Sequence, residues 1–244
     1  MHRGTEDCRL PARNFRQERL DMFWLVPRPP GHHSPQGGSP RMFRVDWIED
    51  HLSRVKPWHV LVVWVPATLY LLARGLMDPA LRPGAFALAV AGGIAGWTLL
   101  EYVLHRWVFH FTPSPDSELA QDVHFVIHGV HHDFPHDADR LVMPPVLSIL
   151  LAFVIGTPLH LAVGPHLFPP LFAGVVIGYL WYDMTHYVVH HVKPRTALGA
   201  KLRRHHYLHH FKTPDARYGV STPLWDWVFG TLPKDEVPAE ARPA

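Results

Sequence analysis

The chain has 244 residues, 48% of them hydrophobic and only 18% charged, with a formal net charge of +2. So much apolar content excludes disorder throughout, and so small a charge gives no footprint for nucleic acid. A single cysteine, Cys8, excludes a disulfide scaffold, an iron–sulfur cluster and a thiolate zinc ribbon.

Residues 1–45 read as a disordered tail, with five prolines between Pro27 and Pro40, scattered arginines and no sustained apolar period. No small-residue cleavage site follows an apolar core, so the segment does not read as a secretory signal. Met22 or Met42 would serve as a start equally well. Four apolar blocks follow: Trp58–Met77, Gly84–Leu104, Pro145–Val163 and Leu167–Tyr182. A bilayer span needs about 20 apolar residues. The second and third blocks meet this, the first is marginal and the fourth is short unless tilted.

Lys and Arg set the expected orientation. Ten precede the first block, Arg74 near the end of that block and Arg82 after it flank the turn to block two, two lie between blocks two and three, and nine follow block four. This predicts both termini and the 105–144 segment on the cytoplasmic side, with short turns outside. The expected fold is an all-α integral membrane protein. Four transmembrane helices form two hairpins under a cytoplasmic helical cap that holds a dinuclear metal site. The expected division is a tail over 1–45, a membrane domain over 46–232 and a C-terminal tail over 233–244.

Histidine is the outlier. There are 21, and sixteen of them lie between His105 and His210. They gather as His105 and His110; His128, His131 and His132; His186 and His190; and His206, His209 and His210. Helical residues three and four apart share a face, so the triplets His128/His131/His132 and His206/His209/His210 are each expected to project together. His105 and His110 are about 140° apart on an ideal helix. That spacing suits two different metals or a helix distorted at its end. Ten imidazoles are too many for one ion, and two ions with about five ligands each is the economical arrangement. Glu101 and Asp183 precede His105 and His186 by one turn and are expected to orient them from behind, as carboxylates commonly do for ligating histidines. Asp122, Asp133 and Asp226 are looser candidates. His124, His136, His191 and His205 are spares, with a caveat for His124, one turn before His128. His160 and His166 are expected on the far side.

Imidazole suits zinc, copper, iron and nickel. Zinc is redox-inert and would give hydrolysis. An all-histidine pair at a membrane face better suits oxygen activation by iron, with a lipid acyl chain reaching the site from the bilayer.

The stretches EYVLHRWVFH (101–110), HFVIHGVHHDFPHDADRLVMPP (124–145), GYLWYDMTHYVVHH (178–191) and LRRHHYLHHFKTPDARYGVSTPLWDWVFGT (202–231) resemble the fatty acid hydroxylase superfamily, which includes sterol desaturases. The closer resemblance is to fatty acid 2-hydroxylases, and it covers roughly 95–232. It implies a dinuclear centre held by His105, His110, His128, His131, His132, His186, His190, His206, His209 and His210. It further implies a non-haem di-iron monooxygenase that hydroxylates C2 of a fatty acid or of a sphingolipid N-acyl chain. Zinc would be able to occupy the site in isolated protein. Many eukaryotic members carry a b-type cytochrome domain; no histidine–proline–glycine–glycine haem motif and no GxGxxG turn occurs here, so O2 and electrons are expected from outside, the latter from a small cytochrome or a ferredoxin with its reductase. Sterol or carotenoid oxidation within the same superfamily is the alternative. A histidine-rich membrane metal carrier is the reading from another class, but transporters place ionisable groups near the bilayer midplane and these clusters lie at the ends of the blocks.

Overall fold

The computed structural model describes residues 38–233; most of the two expected tails, 1–37 and 234–244, lies outside the described residues. Regular structure here is helical throughout. Helix α1 (Asp46–Ile48) continues as a π turn, Glu49–Ser53. Two long helices follow: α2 (Pro57–Leu76), and α3 (Pro83–Val103) extended by the π turn Leu104–Phe109. Helix α4 (Glu118–His124) passes through a π turn, Phe125–Gly129, into a last turn, Val130–Asp133. Then come α5 (Pro145–His191), α6 (Ala197–Phe211) and the short α7 (Leu224–Val228). Each long apolar helix begins on proline at its first position, where the missing N–H costs nothing and the fixed φ suits the helix.

Helix α5 is two helices joined at Gly164, whose φ of +76° and ψ of 174° break the helical path. A positive φ of this kind favours glycine. The chain doubles back there. His160 packs on the Phe168 ring with centroids 4.9 Å apart, and Met143 N donates to Asp183 Oδ1 at 3.2 Å. Proline follows the break at once, so the helix resumes at Pro165 rather than near Leu167, where the fourth apolar block begins. At the same end of the bundle His166 Nδ1 lies 2.7 Å from Asp78 Oδ2, which joins this turn to the turn between α2 and α3.

Both arms of α5 pack against α2 and α3. Trp64, Trp97, Phe172, Tyr179 and Tyr182 form the centre of the core, and Trp64 Nε1 donates to Ser148 Oγ at 2.9 Å. At the crossing of α3 and α5 a Cβ on Gly93 would stand 2.1 Å from the Leu171 carbonyl oxygen, and one on Gly174 would stand 2.1 Å from that of Val90. Only glycine permits such backbone contact. The outer faces stay apolar: Leu88 is 75% and Leu161 78% exposed. Such surface in water would be an aggregation liability, but against lipid it is the ordinary exterior. Three helices, Pro57–Leu76, Pro83–Phe109 and the folded-back Pro145–His191, are long and apolar enough to cross a membrane.

The expected tail boundary at residue 45 falls too late. Ser39 N and Oγ donate to Asp137 Oδ2 at 2.8 and 2.5 Å, and Met42 N and Phe43 N donate to Glu49 Oε2, each at 3.1 Å. Glu49 also accepts from Arg54 and Arg140. Two buried carboxylates thus dock a segment that has no hydrophobic period, which is why its sequence reads as a tail.

Candidate metal centre

The four histidine stretches converge at the end of the bundle opposite the Asp78–His166 contact. The ten candidate histidines divide into two groups of five. His105, His110, His128, His132 and His209 form one; His131, His186, His190, His206 and His210 form the other. Within each group one nitrogen from every ring lies within 4.8 Å of the others. Closest approaches run between Nε2 atoms: 3.1 Å for His105–His128, His132–His128 and His209–His110, and 2.9 Å for His186–His131 and His206–His190. The groups are neighbours, since the His132 ring stacks on that of His210 with centroids 4.2 Å apart.

The π turn explains how His105 and His110 share a group. A π turn closes residues five apart, and His110 N donates to the His105 carbonyl at 3.1 Å. The distorted-helix alternative therefore holds, and the pair does not split between groups. The two triplets do split, contrary to expectation. On an α-helix, position i+4 lies about 40° to one side of i and i+3 about 60° to the other. His128 and His132 accordingly serve the first group and His131 the second, while His206 and His210 serve the second and His209 the first. Each triplet sits between the groups and faces both.

Burial and crowding keep these rings neutral. Desolvation, followed by the neighbouring imidazoles, holds His128, His131, His132, His206 and His210 well below the usual imidazole range. His110 is pushed down to about 3 by burial and then by His209 and His124; burial takes His209 to about 4. Two rings reveal their proton positions by chemistry. His105 Nδ1 lies 2.5 Å from the Tyr218 carbonyl and His209 Nδ1 lies 2.7 Å from that of Ala216. A carbonyl only accepts, so Nδ1 carries the hydrogen and Nε2 presents a lone pair. In each group five imidazoles bring one nitrogen apiece to within 4.8 Å of the others, a convergence of neutral donors on a single small space. The donor set therefore fits a metal ion in each group.

The expected roles of Glu101 and Asp183 need correction: neither carboxylate is hydrogen-bonded to a ring of either group. Glu101 Oε1 accepts from Val220 N at 2.6 Å and Ser221 N at 2.8 Å, and its other oxygen accepts from Ser221 Oγ. It fixes the loop whose Tyr218 carbonyl holds His105. Asp183 accepts from Met143 N and from the Tyr179 hydroxyl, bracing the α5 hairpin. Asp226 anchors the same loop from the other side. It accepts from Tyr218 N and Gly219 N, both at 2.8 Å, and lies 3.3 Å from His205 Nε2. Backbone carbonyls of residues 218 and 216 thus orient His105 and His209, and sequence reasoning missed them because a carbonyl carries no residue signature. Among the spares, His124, His136, His191 and His205 stand outside both groups.

A cavity of about 300 Å³ opens onto both groups, reaching His128 of the first and His131 and His186 of the second. Leu147, Leu150, Leu151 and Val154 line it along the first arm of α5, while Ser53 and Arg140 stand at its polar margin.

Residues 90–231, more than half the chain, match the family model described as fatty acid hydroxylase. This chain belongs to the fatty acid hydroxylase family. It is 39% identical over 198 residues to the dihydroceramide fatty acyl 2-hydroxylase FAH2 of Arabidopsis thaliana, covering 80% of each chain. To the fatty acid 2-hydroxylase of Homo sapiens it is 36% identical, over 82% of this chain and 58% of that one. Among solved structures it is similar to full-length scs7p, in which only the hydroxylase domain is visible: TM-score 0.75, 34% identity, 83% of this chain and 75% of that chain.

Proposed function

We propose that this chain is a membrane-embedded di-iron monooxygenase that hydroxylates a lipid acyl chain at C2, the substrate being a fatty acid or a sphingolipid N-acyl chain. The observation that carries the reading is the apolar cavity that meets both five-histidine groups. The names of the relatives, which specify 2-hydroxylation of fatty acyl chains and of dihydroceramide, point the same way.

Two irons, held by His105, His110, His128, His132 and His209 and by His131, His186, His190, His206 and His210, would supply the oxygen-activating chemistry that an unactivated C–H bond demands. The protein's own contribution is geometric and electrostatic. Desolvation keeps imidazole lone pairs available at neutral pH. The Tyr218 and Ala216 carbonyls fix the tautomer of His105 and His209. Leu147, Leu150, Leu151 and Val154 line a path for a methylene chain and exclude water from it. O2 and electrons from a donor protein complete the reaction.

In this reading the bundle crosses the bilayer four times as two hairpins. The helical cap, the histidines and both termini lie on the cytoplasmic side. The Lys/Arg distribution supports that sidedness, and the Asp78–His166 contact supports placing both short turns at one face. The test is mass spectrometry of lipids from cells with and without the protein under labelled dioxygen, alongside metal analysis of purified protein. The expected product is an acyl chain one labelled oxygen heavier at C2. A modified sterol or pigment with unchanged acyl lipids defeats the reading, as does full turnover without iron.

A further inference from the structure

A second cavity, of about 420 Å³, lies on the outer side of α5 where it meets α6, away from the acyl path. Its walls are apolar: Trp181, Met184 and Val188 from α5, and Leu198 and Leu202 from α6. Its rim is cationic, formed by Lys193, Arg195 and Arg203, and no acidic residue lines it. The imbalance extends along the chain. From residue 184 to residue 214 there are six Lys/Arg and no Asp or Glu. Arg203 is already engaged, donating to the Val192 carbonyl at 2.9 Å and to the Tyr207 hydroxyl at 2.8 Å. Lys193 and Arg195 are exposed. Trp181, 58% exposed, stands on the apolar side of the same cavity, and an amphipathic indole is the side chain that favours a membrane–water boundary.

We infer that this cavity is a binding site for an anionic glycerophospholipid, with its phosphate against Lys193 and Arg195 and the upper part of an acyl chain between α5 and α6. Apolar walls that continue into the bilayer-facing length of α5, under a rim with cations alone, match the two halves of such a lipid. An acidic soluble protein would use the charges but leave the apolar walls empty. The inference rests on the bundle sitting in a bilayer and is independent of what the histidine centre does.

The test uses the full chain in nanodiscs of phosphatidylcholine alone or of equimolar phosphatidylcholine and phosphatidylglycerol, released into detergent and weighed by native mass spectrometry. Wild type retains phosphatidylglycerol in preference to phosphatidylcholine. The K193Q/R195Q double variant loses this preference about thirtyfold, the factor expected for two cations at an anionic surface. Leu198→Trp keeps every charge and fills the cavity, and it too lowers retention. Helicity and melting temperature of the variants verify that they fold. Equal retention of the two lipids by wild type overturns the site. So does undiminished retention by Leu198→Trp, which would mean diffuse attraction, and so does capture of soluble polyglutamate by the same cations without lipid preference. Acyl hydroxylation is measured in parallel; its absence with lipid preference intact defeats the hydroxylase reading alone.

Discussion

The two histidine groups have the same number of rings and different supports. In the first, His105 and His209 are each tied through Nδ1 to a carbonyl of the loop after α6, and that loop is tied in turn to Glu101 and Asp226. In the second, Nδ1 of His131, His190, His206 and His210 has no hydrogen-bond partner among the described residues, and the rings are held by their helices and by one another. One group is aimed by hydrogen bonds and the other by packing. The first should therefore respond to loop mutations, and the second to changes in how the helices sit.

The largest effect tests whether the groups act together. His209→Ala in the first and His206→Ala in the second should each lower C2 hydroxylation by more than about 100-fold, beyond the ~10–100-fold cost of losing an outer partner of a metal ligand. If one variant keeps wild-type turnover, the groups are functionally separate. Next in size is Gly93→Val. Its side chain meets backbone rather than a flexible neighbour. A cost of about 1–3 kcal/mol or more follows, read as a lowered melting temperature, and metal should be lost from both groups. Glu101→Ala is smaller and one-sided. Freed from its anchor, the 218–221 loop no longer fixes His105, and the first group's metal affinity should fall about tenfold while the second keeps its ion. Metal content then moves toward half the wild-type value on mild chelation; equal loss from both groups would erase the contrast drawn above.

The smallest effect is in pH. Buried His110 and His209 are held near 3 and 4, against 6.5 for a free imidazole. The unfolded chain therefore takes up protons first as pH falls, and stability rises with pH across that interval. Metal-free protein should be most stable above about pH 6.5 and lose stability steadily toward pH 4, as followed by thermal melts. A flat profile would mean that water reaches these rings.

The sequence made the helices and the ten histidines legible because both signals are local: apolar runs bounded by Pro57, Pro83, Pro145 and Gly164, and imidazoles at helical spacing. The partition of the histidines was not legible. It turns on a π turn at 104–109 and on the roughly 100° between i+3 and i+4, and a count of spacings gives no hint of where two centres will lie. Residues 38–45 were hidden for a different reason. Their attachments are backbone N–H groups bound to Asp137 and Glu49, nearly a hundred residues away in one case, and no periodicity records such a bond. Glu101 and Asp183 were singled out for standing one turn before a histidine, yet both hold backbone N–H groups instead, because a carboxylate so placed is equally well placed to anchor a loop.

Gly93 and Gly174 each stand twelve residues before a histidine of the centre, His105 on α3 and His186 on α5. At 1.5 Å per residue both reaches are about 18 Å. The contact of the two glycines is thus the fulcrum of a pair of equal levers, with His105 of one group at the tip of the first and His186 of the other at the tip of the second. Any wedge driven in at the pivot would be returned, magnified, as a change in the gap between the two tips.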